Sequence, residues 1–188
     1  TETQLEVEGS IPPELQGLYV RNGANPVTGE SEHWFLGNGM LHGVRLENGK
    51  AAWYRNRYVR TPFFEDPNLE RISPTGEIDR LASAANTHVV GHAGKILALE
   101  EGSFPWIVDN ELETVGATDY EGRLKVAMTA HPHVCPETGE MIGFGYGQLP
   151  PYLVYHRVDA DGKMVQSEEI TVPGPTMMHD FMITRNHS

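Results

Sequence analysis

Met40-Leu41-His42-Gly43-Val44-Arg45-Leu46-Glu47-Asn48-Gly49-Lys50-Ala51-Ala52-Trp53-Tyr54 is the stretch that decides the fold. Asn-Gly between two runs of strand-forming residues is a two-residue hairpin turn, because both central positions need a positive φ. Met40 to Leu46 therefore reads as one strand and Ala51 to Arg60 as its partner. Working outward, the same unit recurs. Gly17 to Asn22 is a strand after Pro12-Pro13, followed by a loop from Gly23 to Pro26. Thr87 to Val90 and Lys95 to Leu99 flank a Gly91-His92-Ala93-Gly94 turn. Thr129 to Val134 and Met141 to Tyr146 flank Pro136-Glu137-Thr138-Gly139. Tyr152 to Val158 and Met164 to Val172 flank the turn from Asp159 to Lys163, and Thr176 to Thr184 is expected as a last strand. Phe64 to Ala85 is long and polar, an excursion loop with room for a helical turn. No window shows a convincing 3.6-residue period. The fold class is all-β, built from short meander strands at fairly regular spacing.

Composition agrees and narrows the function. The 188 residues include 20 glycines and 13 prolines, as many turns require. A net charge of −12 argues against a nucleic-acid surface, which needs a basic face. The single cysteine, Cys135, rules out an internal disulfide and a Cys-based zinc site. It fits a reducing compartment, so a cytoplasmic location is expected. No apolar run approaches the length of a membrane span. The first residues have neither the basic nor the apolar region of a signal peptide, and the chain does not begin with Met.

Two histidine clusters stand out, Thr129-Ala130-His131-Pro132-His133 and Met178-His179-Asp180-Phe181. His131 and His179 are 48 residues apart, close to one propeller blade of about 40–50 residues. At matching places in successive blades, two histidines point at the central axis, where neutral imidazole is a ligand for a transition metal. A lone histidine more often is a satisfied structural residue. Pro132 forces His131 to extended backbone angles and so fixes where its ring points. His133, two residues on, shares that face if the strand is regular. His33, His42, His88, His92, His156 and His187 read more easily as surface or structural. Glu100-Glu101 follows the apolar run Ile96-Leu97-Ala98-Leu99 and by itself reads as a solvated strand end, one residue facing in and one out. Gly143-Phe144-Gly145-Tyr146-Gly147 reads as a strand with close backbone approach, because no helix or G-K-[ST] follows to make a phosphate loop. No nucleophile motif is present, and Cys135 beside a turn proline reads as structural.

Taken in order, several segments resemble the carotenoid cleavage oxygenases, non-haem iron dioxygenases that split conjugated double bonds. They are Gly9 to Pro26, His33-Trp34-Phe35 through Gly39-Met40-Leu41-His42-Gly43-Val44, Asn86-Thr87, Leu99-Glu100-Glu101-Gly102, Thr129 to His133, and His179-Asp180-Phe181. The resemblance covers nearly the whole chain. It implies a seven-bladed β-propeller with four histidines holding Fe(II) on its axis. His131 would be the first ligand and His179 the second. Glu101 would be one of the carboxylates that hold a ligand imidazole, and His133 a neighbour only. The other two histidines of the family lie further along than Ser188. Residues 1–188 are thus expected as the N-terminal portion of a single truncated propeller domain, about three blades, not active alone. The implied partners are an apolar polyene or stilbene-like molecule and O2. The sequence leaves peripheral membrane contact of the intact enzyme open. Two other readings stand beside this one. A propeller serving as a binding or scaffold module needs no metal, and a metal-dependent hydrolase would use His131 together with His133.

Overall fold

A computed structural model describes residues 1–188 and contains eleven strands and one helical turn. The first sheet joins β1 (Gly17–Asn25), β2 (Asn38–Glu47) and β3 (Lys50–Tyr58) in the order β1-β2-β3. The second joins β4 (His88–His92), β5 (Lys95–Leu99), β6 (Trp106–Val108) and β7 (Thr114–Ala117) in chain order. The third joins β8 (His133–Val134), β9 (Met141–Tyr146), β10 (Leu153–Val158) and β11 (Met164–Glu169), again as neighbours in chain order. All pairings are antiparallel.

The hairpin turns follow from their residues. Asn48 and Gly49 take φ of 50° and 75° between Glu47 and its partner Lys50. Ala93 and Gly94 do the same with 48° and 71° between His92 and Lys95, so this turn is two residues rather than four. The helical turn α1 (Pro62–Glu65) opens the polar excursion. Proline is at its start, and the Thr61 hydroxyl accepts from the Phe64 N–H.

Stacking of the sheets explains why Leu97-Ala98-Leu99 is apolar without alternation. Leu97 and Leu99 pack with Met128, Met141, Val158 and Met164 on the side of the third sheet. Ala98, Trp106 and Val108 pack with Leu41, Val59 and Leu112 on the side of the first. The middle sheet is covered on both faces, and each buried leucine contributes about 2 kcal/mol. Three meander sheets stacked face to face are successive blades of a β-propeller.

Two expected strands change, and two further strands are not foreseen in the sequence. Thr176 to Thr184 forms no strand. No strand among residues 1–188 pairs with it to complete a ladder. Thr129 to Val134 shrinks to His133–Val134, because Pro132 has no N–H to give a neighbour. The strands β6 and β7, three and four residues long, are too short to show as patterns in the sequence.

His156 on β10 is wholly buried. Its Nε2 donates to the Ala127 carbonyl at 3.3 Å, and its Nδ1 faces the Ser167 hydroxyl at 3.1 Å. Burial pushes its pKa from 6.5 down to about 4. Below pH 6.5 the unfolded chain gains a proton that the folded chain refuses until about pH 4, so stability falls as pH drops through that window. The loss amounts to about 3 kcal/mol by the lower end. Urea denaturation between about pH 7 and pH 4.5 should show this loss in the wild type and a flatter dependence in His156→Gln. Equal slopes in the two would assign the acid sensitivity to other groups.

Candidate metal centre

Three side chains from distant parts of the chain converge at one end of the sheets. Glu101 lies in the turn just after β5, His131 two residues before β8, and His179 in the unpaired segment after β11. Their ligand-capable atoms all lie within 4.8 Å of one another. The His131 and His179 rings are 4.5 Å apart at their centroids and meet edge to face. The 48-residue spacing thus brings both imidazoles to one point, as expected. Glu101, whose sequence alone reads as a solvated strand end, is there with them. The strand ends at Leu99, so Glu100 and Glu101 do not alternate in and out; both line the same cleft.

Local contacts fix each group. The His131 backbone N–H donates to the Thr129 hydroxyl at 3.0 Å, and Thr129 is wholly buried with its own N–H on the Phe144 carbonyl. His88 stacks on His131 with centroids 5.4 Å apart and holds the Ala130 carbonyl through Nδ1 at 2.8 Å. One carboxylate oxygen of Glu101 contacts His179 Nδ1, and the other accepts from the Tyr146 hydroxyl. With Nδ1 so engaged, His179 has Nε2 free. Burial, then the hydrogen bond and charge of Glu101, push the Tyr146 hydroxyl up from its usual range, so it stays a donor. Tyr146 sits in the Gly-Phe-Gly-Tyr-Gly run, and nothing in the sequence marks it as part of the site.

His133 lies outside this group. Its Nε2 donates to the Phe181 carbonyl at 2.9 Å, and Phe181 packs on His133 and on Phe144. These contacts dock the segment that carries His179. With its Nε2 on the Phe181 carbonyl, His133 is not part of the group that gathers His131, Glu101 and His179. His42, His92 and His156 are structural: their ring nitrogens engage Tyr54, Gly139 and Ala127.

A metal ion fits the donor set. His131 Nε2 is buried with no hydrogen-bond partner. Three other side-chain atoms share that condition, on His42, Trp106 and Tyr120, but only His131 lines a cleft with further donors. An unpartnered buried nitrogen is costly unless something binds it. Burial first, then the imidazoles of His179 and His88, hold His131 below the usual histidine pKa and so in the neutral, ligating form. The cleft has a volume of about 660 Å3, and its apolar wall includes Trp34, Phe35, Leu36, Phe63 and Met177. No helix of the chain is long and apolar enough to cross a membrane.

A propeller with imidazoles and a carboxylate converging beside an apolar cleft matches one known family over its full length here. The family described as retinal pigment epithelial membrane protein, RPE65, matches residues 1–188, and the chain belongs to this RPE65/carotenoid cleavage oxygenase family. It is 43% identical over 197 residues to the carotenoid cleavage oxygenase of Mycobacterium tuberculosis, covering 100% of this chain and 39% of that protein. It is 38% identical over 216 residues to the carotenoid 9,10(9',10')-cleavage dioxygenase of Crocus sativus, covering 98% and 39%. Among solved structures it is similar to the lignostilbene dioxygenase of Pseudomonas brassicacearum, with a TM-score of 0.81 and 33% identity over 98% of this chain and 42% of that one. The chain therefore spans about two fifths of the length of these relatives, as three blades of a seven-bladed propeller would.

Proposed function

We propose that the protein of which these residues are part is a non-haem Fe(II) dioxygenase that cleaves a conjugated carbon–carbon double bond. One alkene and one O2 give two carbonyl compounds, each carbonyl carbon keeping one oxygen atom of the O2. The observation that carries this reading is the convergence of His131, His179 and Glu101 beside an apolar cleft. The relatives named for carotenoid and lignostilbene cleavage support it and favour a polyene or a stilbene as the substrate.

In this reading His131 and His179 are two of the iron ligands, and further ligands come from outside residues 1–188. When bound, Fe(II) supplies the redox chemistry with O2. The chain's own residues do the rest. Glu101 holds Nδ1 of His179 and so keeps Nε2 aimed inward. Tyr146 holds Glu101. The aromatic and aliphatic wall of Trp34, Phe35, Leu36 and Phe63 receives the hydrocarbon and excludes water from its double bond.

The test is incubation of the complete, iron-loaded protein with a carotenoid and with a stilbene under 18O2. One labelled oxygen in each of two carbonyl products is expected. Absence of cleavage with iron bound would refute the activity, and absence of iron after loading would favour a binding module. Metal affinity tests the outer contacts. Glu101→Gln should weaken iron binding by about 10- to 100-fold, and Tyr146→Phe by about tenfold, since each loosens the support of His179. Chelator titration reads both. A Tyr146→Phe protein with wild-type affinity would show that Glu101 needs no help from the tyrosine.

A further inference from the structure

The polar excursion before β4 is not a loose loop. Ile72 pairs with Ile78 in an antiparallel bridge, and the Asp79 N–H donates to the Arg71 carbonyl at 2.8 Å. Residues 71–80 are therefore a small hairpin, turned at Pro74-Thr75, with an arginine at each end. Both arginines reach the turn after β5. Arg71 Nη1 and Nη2 donate to the two carboxylate oxygens of Glu100 at 3.1 and 2.7 Å. Arg80 Nη1 donates to the Gly102 carbonyl at 2.9 Å, and the Arg80 carbonyl accepts from the Phe104 N–H at 2.9 Å. Glu100 closes the turn by accepting from the Gly102 N–H at 2.9 Å. Arg71 is itself anchored, with Nε on the Ala82 carbonyl at 2.8 Å and the guanidinium over the Phe63 ring, 5.3 Å from its centroid. One residue lies between the two points that are held. It is Glu101, whose carboxylate contacts His179 Nδ1.

A partly buried ion pair contributes little to stability once desolvation is counted. Two guanidiniums placed together also repel. Burial, then the charge of Arg71, lower the pKa of Arg80, and the charge of Glu100 acts against them. The geometric content of the cluster is larger, because a guanidinium fork meets a carboxylate in a defined plane. We propose that Arg71 and Arg80 are positioning residues for the metal centre: their hairpin clamps residues 100 and 102 and so aims Glu101 at His179. The inference rests on the reading of His131, His179 and Glu101 as one metal centre and adds the support that holds it. Gly102 fits the same role. A Cβ there would collide with Arg71 Nη1 and lie 3.0 Å from Glu100 Oε1, so the fork occupies space that only glycine leaves open. Tyr146 holds the carboxylate of Glu101, and the clamp holds its backbone.

The complete protein tests the clamp in two arms, the first without metal. Amide hydrogen exchange in the metal-free state compares the wild type with two variants. Arg71→Lys keeps the charge and loses the fork. Gly102→Ala keeps every charge and displaces the guanidinium. In both, exchange should quicken about 2- to 10-fold at residues 178–181 as well as at 99–104, the range for one lost hydrogen bond. Arg60→Met is the control. It removes an ion pair with Glu65 at the start of the same excursion, and residues 178–181 should keep wild-type rates. Unchanged exchange at 178–181 in either variant would overturn the proposal, since a hairpin that braces only its own turn moves 99–104 alone. Should Arg71→Lys fail to fold, Gly102→Ala decides. Titration with Co(II) against a chelator is the second arm. Arg71→Lys should weaken metal binding about 3- to 10-fold, and less than about twofold when combined with Glu101→Gln. Equal losses in the two backgrounds would show that Arg71 does not act through Glu101 and would overturn the proposal. A wild type that binds no metal would refute the metal centre, and the exchange comparison would still decide the clamp.

Discussion

Alanine at His131 or at His179 should leave the complete protein with less than about a tenth of its wild-type iron. In the proposed centre these are primary ligands, and losing one of a small set of metal–nitrogen bonds costs far more than loosening an outer contact. The geometry separates the two substitutions from their neighbours. His131 Nε2 is buried without a partner, so its removal deletes a donor that nothing else nearby can replace. His179 is held through Nδ1 by Glu101, so its removal also leaves that carboxylate facing the cleft. His133 makes its bond to the Phe181 carbonyl instead, and His133→Ala should keep most of the iron. Iron per protomer, measured on the purified variants, decides the matter. Wild-type iron in His179→Ala would remove it as a ligand, and loss of iron in His133→Ala with retention in His179→Ala would revive the hydrolase pair.

How much of this was readable in the chain depended on the range of the contact. The Asn48-Gly49 turn is local chemistry, and it emerges where the sequence puts it. The run Leu97-Ala98-Leu99 announces burial on both faces, which only a sheet between two others provides. The one-blade spacing of His131 and His179 points to their convergence, although neither residue lies in a strand. Residues whose role depends on partners far along the chain were silent. Tyr146 meets Glu101 from 45 residues away, and Arg71 meets Glu100 from 29. Each looks in the sequence like any surface tyrosine or arginine. His88 reads as structural, and only the fold reveals that it stacks on His131. The strand expected over Thr176 to Thr184 fails for the converse reason. Its residues favour extension, but a strand is a relation between two segments, and here it has no partner.

A large loss of stability is expected from one methyl group at Gly145. A Cβ there would sit 2.2 Å from the Ala127 carbonyl oxygen and 2.8 Å from a Val126 methyl. The obstacle is mainly backbone, so no side-chain rotation relieves it. That carbonyl also accepts from His156 Nε2, and Thr129 just beyond it is tied to the Phe144 carbonyl. Moving Ala127 therefore strains a buried histidine on one side and shifts the approach to His131 on the other. Gly145→Ala should cost about 3 kcal/mol or more, at the upper end of overpacking effects, and should weaken metal binding as well. The two flanking glycines of the same run supply the comparison. At Gly143 the nearest obstacles are the Met128 sulfur at 2.9 Å and a Thr129 methyl at 3.1 Å. The flexible methionine can give way, so Gly143→Ala should cost about 1 kcal/mol. At Gly147 the nearest atom is 3.4 Å away, an ordinary contact, and Gly147→Ala should stay within about 0.5 kcal/mol of wild type. Urea midpoints of the three variants, with iron affinity measured alongside, should fall in the order Gly147→Ala, Gly143→Ala, Gly145→Ala from most to least stable. A Gly145→Ala protein as stable as Gly147→Ala would mean that the Ala127 segment is free to move, and that the seam between it and β9 does not set the position of His131.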